Sequence, residues 1–181
     1  MTESDADIVR RAKAELPYQH TAYEVLVRRH YPGIRKLIAG VLGSPDEADS
    51  LAQDAMLRMM HGLPRLEDVE RFDPWLRRIA VNVSRTYLSR RSRELKRREA
   101  YQVDQALTLP DASPPGVASE GSADLAHMMA PLTPDERVIV SFKVLQDLEF
   151  SDIAEILGIS LSAAKMRYYR ALDKLKAAEQ D

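Results

Sequence analysis

Six residues near the end of the chain place charged, aromatic and small side chains on one side of a predicted helix. In ISLSAAKMRYYRALDKLK, a rotation of 100° per residue places these six residues away from the side of the helix that carries the apolar residues. Lysine and arginine bind phosphates, and arginine and aromatic side chains contact bases. The pattern predicts a DNA-binding surface made of Ser162, Lys165, Met166, Arg167, Tyr169 and Arg170.

A helix-turn-helix is the element that must position this surface. Ser151 is expected to cap a first helix, Gly158 to end it, and Ser160 to cap the second. The opposite side of the second helix is predicted to be buried through Leu161, Ala164, Tyr168, Leu172 and Leu175. The alternative is a surface hairpin with a solvated basic face, which the short capped turn makes less favourable.

A second basic stretch lies in the middle of the chain. From Arg71 to Arg98 there are ten lysines and arginines against two acids, a local charge of +8 in a chain of net charge −2. Trp75 and Asn82 lie beside the predicted apolar face of this long helix. Aromatic rings stack on unpaired bases, and amides form hydrogen bonds with the edges of bases. Trp75 and Asn82 together therefore suit the binding of single-stranded nucleic acid. The alternative is that Trp75 only packs in the hydrophobic core.

The helix expected after Pro45 carries a polar face interrupted by one leucine. Acidic residues early in a helix also complement its dipole, so Asp46 and Glu47 have a purely structural explanation. An exposed leucine within such a face favours a contact with a partner protein. The candidate residues for this docking face are Glu47, Asp49, Gln53, Asp54 and Leu57.

The sequence does not indicate catalytic or metal-binding chemistry. The chain has no cysteine, four scattered histidines, no nucleophile–base pair and no phosphate-binding glycine loop. We therefore expect no enzymatic activity, no metal and no cofactor. No apolar run approaches the length of a membrane span and no leader pattern is present, so we expect a soluble, cytoplasmic protein with no membrane insertion.

The pattern predicts an all-α protein of two small helical domains joined by a flexible linker, the second domain being a helix-turn-helix. Capping boxes are expected at Thr21–Glu24, Ser44–Glu47 and Thr133–Glu136, and a bend or interruption at Pro32. The segment TLPDASPPGVASEGS has a linker composition. We place the domains at 1–100 and 124–181, with the linker at 101–123.

Three segments together resemble the sigma-70 family, and in particular its extracytoplasmic-function (ECF) group. They are EVLVRRHYPGIRKLIAGVLGSPDEADSLAQDAMLRMMHGL, FDPWLRRIAVNVSRTYLSRRSR and LTPDERVIVSFKVLQDLEFSDIAEILGISLSAAKMRYYRALDKLK, in the family's order. The resemblance implies a dissociable subunit of bacterial RNA polymerase that selects promoter DNA. It also implies control by an anti-sigma factor or another regulator in trans.

The resemblance assigns a role to each segment. SLAQDAML is similar to the surface that docks on core polymerase, which covers the docking face defined above. WLRRIAVN is similar to the reader of the single-stranded −10 element, with the loop from Leu63 to Val69 completing a base pocket. The −10 candidates are Trp75, Ile79, Ala80, Asn82 and Arg85. The helix-turn-helix surface is similar to the reader of the −35 element.

The sequence departs from the family in two places. Ser50 stands where an acidic residue usually follows Asp49, which makes Ser50 a candidate regulatory residue, since phosphorylation would restore the negative charge. The alternative is a tolerated substitution beside the remaining acids. Ala163 and Met166 replace hydroxyl residues of the recognition helix, which implies a different −35 sequence.

Two other functions fit parts of the sequence. One is a stand-alone helix-turn-helix repressor, which would bind duplex DNA tightly without polymerase. The other is a sigma mimic that titrates an anti-sigma factor and has no promoter activity. The linker disfavours the repressor, and the intact arginine stretches disfavour the mimic.

Overall fold

The computed structural model of the chain describes residues 3–16, 18–104 and 120–179, and in these ranges it contains helices and no strand. The predicted all-α class with a C-terminal helix-turn-helix is confirmed. None of the helices in these ranges is long and apolar enough to cross a bilayer. The helices are α1 (Asp5–Glu15), α2 (Thr21–Leu42), α3 (Ala48–Gly62), α4 (Phe72–Asp104), α5 (Glu120–Met129), α6 (Pro134–Val140), α7 (Phe150–Leu157) and α8 (Leu161–Ala178).

Helices α1 to α4 form the first bundle, with α2 packed against the other three. Fully buried side chains include Leu26 and Leu37 of α2, Met59 of α3, and Phe72 and Leu76 of α4. Two 3-10 turns, Leu63–Arg65 and Val69–Arg71, connect α3 to α4. This connection places a short loop beside the start of the basic helix.

Helices α5 to α8 form the second part, and a π-helical turn, Ser141–Leu145, follows α6. A small apolar cluster of Met129, Leu132, Val140 and Ala171 joins α5, α6 and α8. The predicted linker, 101–123, lies mostly outside the described residues, since α4 extends to Asp104 and α5 begins at Glu120.

The second part also packs directly on the first, which the sequence did not predict. Val138, Ile139 and Phe142 share one buried core with side chains of α2 and α4, and so do Ile153 and Ile156 of α7. Apolar periodicity predicts which face of a helix is buried but not which helix covers it. The contact between the two parts is therefore a property of the tertiary structure.

Two of the three predicted capping boxes are wrong. At the start of α2 the Glu15 carboxylate, and not the Thr21 hydroxyl, accepts a hydrogen bond, from Ala22 N at 2.8 Å. At α3 the helix begins only at Ala48, because a turn closed by Ala48 N and Pro45 O (3.1 Å) precedes it. Helix α2 is also not interrupted at Pro32, which is exposed.

The caps of the helix-turn-helix are partly as predicted. Gly158 has φ +65°, which glycine adopts at no steric cost, and Ser160 Oγ accepts from Ala163 N at 3.1 Å. Ser151 is not a cap, because α7 begins one residue earlier, after Glu149. On α8, Ala164 is buried and Tyr168, Leu172 and Leu175 are partly buried. Leu161 is 47% exposed, contrary to prediction, since it is the first residue of α8.

The third capping box is confirmed, and its carboxylate also pairs with α8. Thr133 N donates to Glu136 at 2.9 Å, Glu136 N donates to Thr133 Oγ1 at 3.4 Å, and Lys174 Nζ lies 2.8 Å from Glu136 Oε1. Burial raises the pKa of the Glu136 carboxyl, but the hydrogen bonds from Lys174 and Thr133 outweigh it, so that this pKa lies below its ordinary value. Glu136 therefore stabilises the fold in its ionised form.

Replacing Glu136 by glutamine is expected to lower the free energy of unfolding near pH 7 by about 0.5–1 kcal/mol, since glutamine keeps the cap and loses the charge. Because the folded pKa is depressed, the contribution is present above the unfolded pKa of about 4.3 and is lost as pH falls through the folded pKa. Urea unfolding at several pH values measures the difference. Exposed Glu24 provides the Glu24→Gln control, and a gap independent of pH would contradict the argument.

Candidate nucleic-acid interface

The exposed side of α8 carries the predicted DNA-binding set. Ser162, Lys165 and Arg170 are exposed, Met166 and Tyr169 are 52% and 57% exposed, and Arg167 is half-buried. The ring of Tyr169 lies 5.6 Å from that of Tyr168 and 6.5 Å from that of Phe150. These neighbours support Tyr169 on one side and leave its other side open. The surface combines phosphate-binding charge with groups that contact bases.

The basic side of α4 begins at Trp75, which is half-buried. Its ring lies 6.0 Å from that of Phe72, so the core anchors one edge of the indole. A Cβ on Gly62 would lie 2.8 Å from Trp75 Cζ2, so only glycine at this position leaves room for the ring. Trp75 is thus both a core residue and part of a cavity wall.

The remaining predicted −10 residues differ in exposure. Asn82 is exposed, and Ile79 and Arg85 are half-buried. Ala80 is fully buried in the core. Its methyl group therefore cannot touch a bound strand in this structure, and it belongs to the apolar face of α4. Asn82 and Arg85 lie about two and about three turns along the helix from Trp75, outside the lining of the cavity.

A cavity of about 310 Å³ lies between the α3–α4 connection and the first turns of α4. Its lining includes Arg65 and Leu66 of the loop, with Arg71, Trp75 and Arg78. The lining also contains three carboxylates, of Glu67, Asp68 and Glu155, so its formal charge is balanced. Trp75 can stack on a base, and the arginines can bind its phosphate. Trp75 is the only predicted −10 residue in this lining.

Sequence reasoning missed Arg71 and Arg78 as lining residues, although both lie in the arginine-rich stretch it identified. It also missed Glu155 of α7, which forms one wall. Lys13 of α1 was missed as well: its Nζ donates to Leu66 O at 2.6 Å and so supports the loop. No sequence pattern connects Lys13 or Glu155 to this cavity, since they are distant in the chain.

The predicted docking face lies on α3. Glu47, Asp49 and Gln53 are exposed, Leu57 is 53% exposed, and Asp54 is half-buried. Asp49 pairs with Arg35 at 2.8 Å, and Asp54 pairs with Arg58 at 3.0 Å. The opposite side of α3 is buried through Ala52, Ala55 and Met59. The face is therefore a solvated acidic surface with one exposed leucine.

Comparison with known proteins finds a matching family model for each of the two parts of the chain. The family model "Sigma-70 region 2" matches residues 26–94, and the model "Sigma-70, region 4" matches residues 122–175. RNA polymerase sigma factor CarQ of Myxococcus xanthus is 29% identical over 161 residues, 86% of this chain and 87% of that protein. The ECF RNA polymerase sigma factor SigW of Bacillus subtilis is 25% identical over 190 residues, 96% and 97% of the two chains.

Two solved structures share the fold over most of the chain. CnrH, in complex with the cytosolic domain of CnrY, aligns with a TM-score of 0.70 at 24% identity and covers 98% of both chains. The sigma factor RpoE of Bartonella quintana, in complex with the anti-sigma factor NepR, aligns with a TM-score of 0.64 at 20% identity. That alignment covers 87% of this chain and 96% of RpoE.

Proposed function

The chain belongs to the sigma-70 family, in its ECF group, and from this membership we propose how its three surfaces divide the work of promoter selection. The α3 face docks on core RNA polymerase, the cavity beside Trp75 takes an unpaired base of the −10 element, and the exposed side of α8 reads the −35 element. The observation that carries the proposal is the order of the two matched regions, together with a cavity whose lining includes Trp75 and three arginines of the first.

The mechanism needs no covalent chemistry from this chain. Arginines of α4 and α8 hold the phosphate backbone, which positions the DNA. Trapping an unstacked base against Trp75 offsets the cost of separating the strands. The polymerase performs the synthesis, so this chain is not itself an enzyme and requires no cofactor. Its place of action is the cytoplasm, where the polymerase and the promoter are.

We assign residues to the three surfaces by the exposure of their side chains. The docking group keeps Glu47, Asp49, Gln53, Asp54 and Leu57, and the −35 group keeps all six residues of α8. In the −10 group, Trp75, Asn82 and Arg85 contact the strand, Arg71 and Arg78 join them, and Ile79 lines the base of the face. Ala80 supports this face from the core. We propose a division at residues 1–100 and 124–181, and the order of the two matched regions supports two parts.

A regulator in another chain is part of the proposal. CnrH and RpoE were both solved with a bound partner, and the partner of RpoE is an anti-sigma factor. We assign this chain an anti-sigma partner of its own on the ground of this likeness in fold. The partner would have to cover the polymerase-docking face or a DNA-binding face to keep the factor inactive.

Reconstitution with core polymerase tests the function. The purified chain is mixed with sigma-free bacterial core enzyme, and co-elution and transcription from genomic fragments are measured. We expect co-elution and new, specific start sites. Tight duplex binding without polymerase would favour the repressor, and partner binding with no transcription would favour the mimic.

Lys13 is expected to act as a positioning residue for the −10 base. A Lys13→Met protein loses the hydrogen bond to Leu66 O, so the loop is held less firmly and the cavity distinguishes bases less well. Open complexes are counted on a promoter with the preferred −10 base and on one in which that base is substituted. We expect the ratio of the first count to the second to fall about five-fold. Lys13→Arg should restore much of it. The control is Lys36→Met, an exposed lysine of α2; an unchanged ratio in Lys13→Met would refute this role.

Ser50 is proposed as a phosphorylation site that controls docking. It is exposed in the first turn of α3, beside Asp49, where a phosphate also complements the helix dipole. We expect Ser50→Ala to reduce transcription in cells several-fold and Ser50→Asp to restore part of it. If Ser50→Ala supports transcription as well as wild type in cells and in vitro, the residue has no regulatory role.

A further inference from the structure

One histidine of the first bundle lies between two carboxylates that belong to different helices. His30 of α2 is largely buried, with 13% of its side chain exposed. Its Nε2 lies 2.9 Å from Asp5 Oδ2 of α1, and its Nδ1 lies 3.7 Å from Asp73 Oδ1 in the first turn of α4. The imidazole therefore connects α1 to the start of the basic helix.

Each of these carboxylates has an arginine on its other oxygen. Arg29 of α2 donates to Asp5 Oδ1, and Arg77 of α4 donates to Asp73 Oδ2 at 2.7 Å. These two pairs place two positive and two negative charges around the imidazole, and the charges cancel. The second oxygen of each carboxylate lies against one ring nitrogen of His30.

Neither contact of the imidazole is an aligned hydrogen bond. His30 Nε2 is buried and has no hydrogen-bond partner among the described residues, although the oxygen of Asp5 is close. The distance from Nδ1 to Asp73 is too long for a hydrogen bond. A neutral imidazole has one N–H and one lone pair, so it must present the lone pair to one of the two carboxylates. Only a doubly protonated ring is attracted to both.

Three rings in contact lead from His30 to the cavity. The imidazole and the ring of Phe72 meet edge to face with their centroids 5.2 Å apart, and the ring of Phe72 lies 6.0 Å from that of Trp75. Phe72 and Asp73 also directly precede Pro74 and Trp75, which line the cavity. A movement of the first turn of α4 relative to His30 therefore moves a wall of the cavity.

We propose that His30 is a positioning residue for the −10 cavity and that it acts in its doubly protonated form. The charged ring holds Asp5 and Asp73 at once, and so fixes the first turn of α4, with Trp75, against α1. Loss of one proton leaves a carboxylate facing a lone pair, and the wall of the cavity is then held less firmly. This inference rests on the proposed −10 function and adds a dependence on pH to it.

The direction of the pH dependence follows from the charge of the ring. The bridge is present where His30 carries both protons, and it is lost as pH rises through the range in which histidines change charge, about pH 5 to 8. The cavity should therefore distinguish bases better at the acidic end of this range than at the alkaline end.

The fluorescence of Trp75 tests the proposal directly, because Trp75 is the only tryptophan of the chain. The emission of the full chain is recorded without DNA or polymerase from about pH 5 to about pH 8. We expect one transition in the wild-type protein and none in His30→Gln, since the amide gains no proton in this range. The matched control is His61→Gln, which should keep the transition. His61 is exposed at the end of α3, next to Gly62, whose Cβ would meet the Trp75 ring.

Two results of this titration would overturn the proposal. One is the absence of a transition in the wild-type protein, and the other is a transition that disappears in His61→Gln and remains in His30→Gln. If His30→Gln does not unfold cooperatively in urea, Asp5→Asn takes its place. This substitution removes the charge opposite Nε2, so the change in emission should become smaller. An unchanged titration of Asp5→Asn would also contradict the role of His30.

A second measurement uses the protein assembled with core polymerase. Open complexes are counted at both ends of the pH range, on a promoter with the preferred −10 base and on one in which that base is substituted. The ratio of the two counts removes the pH dependence of the polymerase, because both promoters share it. We expect this ratio to be about three-fold higher at the acidic end in wild type, since such ion pairs change an equilibrium by a small factor. In His30→Gln the ratio should be the same at both ends.

The outcomes separate this inference from the proposed function. If the emission of Trp75 follows His30 but the ratio of open complexes does not change with pH, His30 does not position the cavity and the proposal is overturned. If the chain neither co-elutes with core polymerase nor gives open complexes at any pH, the proposed function is what fails. The emission of Trp75 then still decides whether His30 positions the indole.

Discussion

A Leu57→Asp protein is expected to bind core RNA polymerase about 30-fold more weakly than wild type, or to lose co-elution altogether. Leu57 is 53% exposed within the acidic face of α3, and it is the apolar centre of that face. Truncating such a centre in a protein interface costs about 2 kcal/mol or more, and tenfold in affinity corresponds to about 1.4 kcal/mol. An aspartate would also place a charge where the partner offers an apolar surface.

The control for this variant is Leu95→Asp. Leu95 is 50% exposed on α4 and belongs to none of the three surfaces. Both substitutions replace an exposed leucine, so both should change the free energy of unfolding by no more than about 0.5 kcal/mol. Co-elution is measured by gel filtration of equimolar mixtures. Normal polymerase binding by Leu57→Asp would remove the α3 face from the proposal.

An Arg170→Ala protein, assembled with core polymerase, is expected to bind its promoter roughly 5- to 150-fold more weakly, the range for a base or phosphate contact of about 1–3 kcal/mol. Arg170 is exposed on the same side of α8 as Met166. If its partner is a phosphate, the slope of log affinity against log salt should fall by about 0.9. The deficit would then narrow as salt rises. A deficit that is constant with salt and confined to one base pair would indicate base readout.

Lys176→Ala is the matched control for Arg170→Ala. It removes the same charge from an exposed position of the same helix, six residues further on and outside the predicted face. We expect less than about a two-fold change in promoter affinity, because general charge at that distance is largely screened. Equal losses in the two variants would show that α8 contributes only general charge, contrary to its role as a reader.

Short-range chemistry made several features predictable. The capping box at Thr133 and the cap at Ser160 were correct because each depends on residues within one helical turn. Gly158 was correct because few other residues adopt its positive φ. The exposure of Leu57 was predictable for a related reason, because a leucine among acids stands out from the periodic core of α3. The family followed from three such segments in order.

The predictions of helix caps and of exposure were wrong where a residue distant in sequence determined the outcome. The start of α2 is capped by Glu15 of another helix and not by Thr21. Leu161 is exposed although the helical period places it with the buried side of α8. A period describes one helix, and the packing of neighbours decides whether each of its positions is covered.

The sequence by itself determined an all-α chain of the sigma-70 family, with basic faces on α4 and α8, because helix periodicity, charge and caps are local properties. Only the tertiary structure decided that Arg78 donates a hydrogen bond to the end of α7, since its partner Ile156 is 78 positions away in sequence. It also decided that Gly40 of α2 faces the side chains of Ser141 and Leu145. Such contacts arise from the fit between whole surfaces, which no local pattern contains.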